Sequence, residues 1–359
     1  MTKFLKSSRI IRMEETRGIS QEKIELLFDL EEIAIFGDET GLSLLKVQDL
    51  LKRYKELYLD PTARLFTDEE SKISCEIGEK QTCYGTHRDD VLKIFLMPIA
   101  KNHAVHINQN YIYEISKYET SNFLLTCLMT LNHEFQHFIQ KKSSKLDRGL
   151  NSEEQKLFCF SNDEFRRDIR DIPYLSDEGG QYLIKYLAEI DPDIQVFDEE
   201  GNLDQRKVKN LAYSFYFCRL MERDARISSI LKLKDLLQDA EKLLSSDSPL
   251  CTLIKDFSYK EIKKERMKYQ KLKTGANHVY KIANLHLNDK KIFDLKLWAN
   301  KLQNCETAEK KDKMRTFAGT LLIILNLNKK ETLDFCSYCR DSGFTEALTI
   351  AEEKLQLDK

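Results

Sequence analysis

The segment Leu131-Asn132-His133-Glu134-Phe135-Gln136-His137-Phe138 contains a His-Glu-x-x-His pattern. Histidines four apart lie on one face of a helix, so both imidazoles can hold a single metal ion. Neutral imidazole is a good ligand for Zn²⁺, and a site with one coordination position left open keeps a water there. Glu134 follows His133 directly and can take the proton of that water without ligating the ion. The chemistry described is hydrolysis at a carbonyl, with an activated water and a carboxylate as general base. With 7 His in 359 residues the pattern arises by chance in roughly one chain in a hundred. The helix that carries it must therefore be read too.

Leu124, Leu128, Leu131, Phe135 and Phe138 recur at spacings of four and three. That predicts a helix from about Thr120 or Ser121, either of which can cap it, to about Lys142. His133 stands about 200° round from Leu131, with Thr126 and Thr130 before it on its own side. The histidines are thus expected to face a cleft, away from the apolar stripe. No histidine lies between 137 and 278, so a carboxylate is the expected third ligand. A helix read over 206–232 offers two. One stripe runs Leu211, Phe215, Cys218, Glu222, Ala225, Ser229, and a comparable one runs Phe217, Leu220, Asp224, Ile227, Leu231. A carboxylate in an apolar stripe is costly unless partnered. A metal would satisfy either Glu222 or Asp224.

The combination of Ala104-Val105-His106-Ile107-Asn108, a short polar connection and a helix reading T-L-N-H-E-F-Q-H resembles the zincin metallopeptidase core. The resemblance covers roughly residues 91–142 and one downstream helix, under a quarter of the chain. It implies Zn²⁺, hydrolysis of peptide bonds, and a strand at the cleft edge that pairs with a peptide substrate. On that reading His106 and Asn108 are substrate-binding residues. Gln140-Lys141-Lys142-Ser143-Ser144 lacks the Gly and His of the metzincin branch. Glu222-Arg223-Asp224-Ala225 is similar to the Glu-x-(Asp/Glu)-Ala signature of gluzincin-like peptidases. This implies Glu222 as the metal ligand, with Asp224 as the alternative. Where many of that branch carry an Asp four residues after the ligand, this chain has Arg226, and Asp224 is left to support the site. Tyr213, Tyr216 and Arg226 are the candidate donors to a transition-state oxyanion.

The elements that must position these residues are mostly helical. Leu44, Val47, Leu50, Leu51, Tyr54 and Leu57 mark one helix face, and Asp60-Pro61 is expected to close that segment. Strands are expected at Lys72–Ile77, at Val91–Met97 ending before Pro98, and at Ala104–Asn108, with Cys83-Tyr84-Gly85 as a turn. Helices are expected from about 206 to the end, broken near Ser245–Pro249, Thr274–Asn277 and Asn288–Lys290. The expected fold is mainly α (α+β): a zincin core with a small sheet, flanked by helical segments and a C-terminal helical bundle. Three stretches follow: 1–60 as an N-terminal helical segment, 61–232 as the core with 143–205 as an insertion or lid, and 233–359 as a C-terminal helical domain.

Composition narrows the class. Apolar residues make up 42% and charged residues 32%, a globular balance, and 12 Gly with 5 Pro disfavour an all-β sandwich. With 57 basic against 59 acidic side chains, net −2, no global field recruits nucleic acid or a membrane. Nine cysteines, an odd and scattered set, fit a reducing compartment. Cys336-Ser337-Tyr338-Cys339 is read as a reduced pair, and Lys260–Lys273 as a solvated helix face. The N-terminal residues lack the apolar core of a signal peptide, and Phe317–Leu325 falls far short of the ~20 residues that span a bilayer. A cytoplasmic zinc peptidase acting on a peptide or protein is expected. The alternative is a non-enzymatic helical interaction protein with a structural or vestigial metal site.

Overall fold

The computed structural model describes residues 18–36, 42–65, 67–78, 81, 83–103, 105–108, 111–114, 119–145, 181, 183–185, 187–188, 194–218, 220–288, 295–296, 299–300, 302–304, 307 and 329–357. The chain is mainly helical with two small sheets. It parts into two compact units: Met1–Arg167 with Asp224–Arg266, and Asp168–Arg223 with Met267–Lys359. Most of the stretch expected as an insertion or lid, 146–180, lies outside the described residues. Among the described residues no helix is long and apolar enough to cross a membrane.

In the first unit, α1 (Gln21–Phe36) and α2 (Leu44–Tyr54) bury their apolar faces in one core. Ser43 caps α2 by accepting from the Lys46 amide. The helix does not close at Asp60-Pro61. It runs through a π-helical turn, Lys55–Leu59, into α3 (Asp60–Ala63), where Pro61 sits in the first turn. A proline there removes an N–H that has no partner inside the helix anyway. The Lys55 ammonium is buried and donates to both Asp60 carboxylate oxygens, at 2.7 and 2.9 Å.

Two three-stranded sheets follow. In one, β4 (Val91–Phe95) is central, parallel to β2 (Lys72–Glu76) and antiparallel to β3 (Gly85–Arg88). Of the turn expected at Cys83-Tyr84-Gly85, Cys83 and Tyr84 form a bend and Gly85 opens β3, while the tight turn between β3 and β4 is Asp89-Asp90. Both residues have positive φ, 49° and 61°, as a two-residue hairpin matched to strand twist requires. Strand β4 stops before Pro98, which lies in the first turn of α4 (Leu96–Asn102). The second sheet orders β1 (Leu42–Ser43), β6 (Tyr111–Glu114) and β5 (Val105–Asn108).

Helix α5 (Glu119–Lys145) crosses the core of this unit, with Leu124, Leu128, Leu131, Phe135 and Phe138 buried as the spacing predicts. The opposite side is not open: Thr126, Thr130, Asn132, Gln136 and Gln140 are buried as well. The same core takes in Leu233, Leu236, Leu250 and Ile254, so the helices of 1–60 and those just after 232 share it with α5.

After α6 (Gln205–Cys218) comes α7 (Leu220–Leu231), and the division between the units passes through α7. Helices α8 (Leu233–Leu243) and α9 (Pro249–Asn288) follow. The break at Ser245–Pro249 is present, whereas α9 runs unbroken through Thr274–Asn277. The second unit has its own core, including Leu183, Val208, Phe217 and Val279, joined by α10 (Lys329–Asp341) and α11 (Thr345–Leu357). Cys336 and Cys339 of α10 are fully buried free thiols that serve as packing. Burial and then the neighbouring Cys336 push the Cys339 thiol up to about 12.

Candidate metal centre

The site is built on α5. His133 and His137 are half-buried, with ring centroids 4.7 Å apart and planes nearly perpendicular. Their Nε2 atoms face one another at 3.1 Å. Helix α7 is tied to α5 at two levels. Asn132 Nδ2 donates to the Ser229 carbonyl at 3.0 Å, and Asp224 Oδ2 accepts from Gln136 Nε2 at 2.9 Å and Gln140 Nε2 at 2.8 Å. These ties fix the rotation of α7. Glu222, two residues before Asp224, is turned about 200° from it on the same helix.

Among the described residues, His133, His137 and Glu222 are the one group of three His, Cys, Asp or Glu whose ligand atoms all lie within 4.8 Å of one another. Asp224 is instead committed to the two glutamines and to the Ser228 hydroxyl. Burial raises its carboxyl to about 6, while the Gln140 and Gln136 amides and the Lys232 charge resist that rise.

The donors fit a divalent ion of zinc type. Two nitrogens about 2.05 Å from a tetrahedral ion stand about 3.3 Å apart. The 3.1 Å separation corresponds to an angle of about 98° at such an ion. Two imidazoles and one carboxylate make the three-ligand shell that leaves one position open. Tyr216 donates its hydroxyl to Glu222 Oε2 at 3.0 Å, a contact that orients a carboxylate ligand. His137 Nδ1 lies 2.9 Å from Gln140 Oε1.

Glu134 is 6% exposed and stands outside the three-ligand group. Strand β3 comes down directly onto it. A Cβ placed on Gly85 would lie 3.0 Å from Glu134 Cγ and 2.8 Å from both Thr130 Cγ2 and the Lys93 carbonyl. Partial burial and then the Glu134 charge raise the thiol of Cys83, at the entry to β3. The edge strand at Glu134 is therefore β3. The expected strand, residues 104–108, is β5, paired with β6 through His106↔Tyr113 and Asn108↔Tyr111. The side chains of His106 and Asn108 lie outside the described residues.

The other expected donors are engaged elsewhere. Arg226 Nε donates to both carboxylate oxygens of Glu265 at 3.1 Å, and Tyr213 receives the Lys268 ammonium. His103 is structural, with Nε2 2.7 Å from the Thr126 hydroxyl. Burial lowers its pKa against the pull of Glu119.

Gly85, Gln136, Gln140 and Lys232 escaped the sequence reading. A glycine in a short strand marks a close backbone approach. Two glutamines at i and i+4, in phase with each other on an otherwise apolar helix, mark a buried polar contact. Comparison with protein families, with characterised proteins and with solved structures finds no match to this chain.

Proposed function

We propose that this chain is a zinc-dependent peptidase in which His133, His137 and Glu222 hold the ion and Glu134 is the general base. The observation that carries the reading is the gathering of those three side chains at ligand distance; Glu134, next to His133 in the chain, adds a buried carboxylate outside the group. Zn²⁺ held there would supply an activated water near neutral pH and polarise a carbonyl. Glu134 takes a proton from the attacking water on its carboxylate and returns it to the leaving amine nitrogen. Among the described residues strand β3 ends its sheet, and a free strand edge suits an extended peptide backbone. The purely structural alternative gives a base beside three ligands no task.

The test is metal analysis of purified protein, then cleavage of a peptide library with and without chelator. Glu134→Gln should keep its zinc and lose hydrolysis. Zinc-free protein, or full turnover by Glu134→Gln, refutes the reading. Zinc present with no cleavage of any peptide supports the non-enzymatic alternative.

A further inference from the structure

We propose that Gln140 sets the tautomer of His137, so that its Nε2 reaches the metal unprotonated, and that Asp224 and Lys232 dictate which way round the Gln140 amide stands. The proposal rests on the metal reading above. It follows from groups that have no choice of role.

An ionised carboxylate only accepts and an ammonium only donates. Lys232 Nζ gives its proton to Gln136 Oε1 at 3.0 Å, so Gln136 turns its Nε2 to Asp224 Oδ2, at 2.9 Å. Asp224 Oδ2 also takes Gln140 Nε2, at 2.8 Å. With its nitrogen so committed, Gln140 offers His137 only a carbonyl oxygen, 2.9 Å from Nδ1. A carbonyl cannot donate, so the proton sits on Nδ1. A neutral imidazole carries one N–H, so Nε2 keeps its lone pair. That atom faces His133 Nε2 at 3.1 Å, where the ligand atoms gather. Gln140 is thus a positioning residue acting through His137, and the proton order runs from Lys232 to the metal ligand.

The same logic gives a variant that a simple packing role would not rescue. In Asp224→Asn the oxygen that Gln136 still requires is uncharged and a weaker acceptor for Gln140 Nε2, so Gln140 is held less firmly and can turn to offer His137 an N–H. Adding Gln140→Glu to Asp224→Asn moves the carboxylate one step along the chain at constant charge. A carboxylate at 140 accepts from His137 Nδ1 whichever way the Asn amide stands, and the proton order returns.

The experiment uses full-length protein with ¹⁵N-labelled histidine. Long-range ¹H–¹⁵N spectra of the metal-free form read the His137 tautomer, and competition with a chromogenic chelator reads Zn²⁺ affinity. The wild type should carry the proton on Nδ1. Asp224→Asn and Gln140→Met should shift it toward Nε2 and weaken Zn²⁺ binding by roughly 10–100-fold. The double variant should regain the Nδ1 proton and most of the affinity. Wild-type protein with the proton on Nε2, or a double variant no better than Asp224→Asn alone, overturns the proposal. A wild type with the proton on Nδ1 that takes no Zn²⁺ refutes the metal reading and leaves the tautomer assignment intact.

Discussion

Gly85→Ala should disable the site without touching a ligand. The added methyl would stand 2.8 Å from the Lys93 carbonyl, 2.8 Å from Thr130 Cγ2 and 3.0 Å from Glu134 Cγ. Unstrained carbon contacts lie near ~3.5–4.0 Å, so the Thr130 methyl is the most crowded neighbour, and Glu134 Cγ must yield by at least a few tenths of an ångström. The Lys93 carbonyl belongs to β4, whose pairing with β3 is set by Thr86↔Lys93. Thr130 is held by its hydroxyl bond to the Thr126 carbonyl at 2.8 Å. The movable partner is Glu134. Overpacking of this kind costs about 1–3 kcal/mol, or a fall in Tm of roughly 2–12 °C for a unit of this size. On the peptidase reading proposed above, displacing Glu134 lowers kcat/KM, up to the order of 100-fold that a misplacement of about an ångström costs. The backbone at Gly85 does not have positive φ, so the effect is steric alone. Calorimetry, zinc content and peptide cleavage on one preparation make the assay. Wild-type Tm with wild-type turnover refutes the close approach of β3 to the base; loss of zinc in step with activity refutes the claim that only Glu134 is disturbed.

Glu222→Ala should lose nearly all bound zinc, whereas Asp224→Ala should retain a weakened site; metal analysis after dialysis that shows the reverse order moves the ligand to Asp224. In wild-type protein, Zn²⁺ at a hundred times its Kd should add about 2.7 kcal/mol of stability, seen as a rise in Tm that chelator reverses and that is absent in Glu222→Ala. Asp29 should make part of the first unit acid-labile. Burial alone would raise its carboxyl, but hydrogen bonds from Lys46 and Arg53 outweigh that and hold it below the usual value. A depressed carboxyl contributes stability above its unfolded pKa, near ~4, and loses it as pH falls through the folded value. Urea unfolding of Asp29→Asn should accordingly show a smaller loss of stability from pH 5 to pH 3 than wild type, and an equal loss discounts the triad.

The helix bearing His133 and His137 was legible because its apolar stripe is local and regular, and burial of Leu124 through Phe138 follows it residue by residue. The far side of that helix was not legible. Thr126 and Thr130 close on the helix's own carbonyls, while Asn132, Gln136 and Gln140 find partners 84 to 97 residues downstream, which no periodicity can announce. Phase alone could not choose between Glu222 and Asp224, since each interrupts a stripe. The choice comes from the two glutamines that claim Asp224. Pro61 was read as a stop because the residue before a proline avoids the helical region, yet it lies in a first turn, where proline is tolerated, whereas the strand expected to end before Pro98 does so. The Asp89-Asp90 turn carried a weak signal because aspartate is a second choice to glycine at positive φ.

The split make-up of the first unit also sets a schedule for synthesis. Its core needs Leu233, Leu236, Leu250 and Ile254 as well as the residues of α5, so the unit cannot close while only its first segment, Met1–Arg167, has left the ribosome. Asn132, Gln136 and Gln140 wait for partners 84 to 97 residues later. At about 5–20 residues per second that is a delay of roughly 4–20 s. During that interval α5 presents a bare row of amides next to a bare apolar stripe, a nascent surface of the kind chaperones hold. The residues of the candidate site are made in the same order, His133 and His137 first and Glu222 later. On the zinc reading proposed above, the three-ligand shell is complete only after α7 has been made.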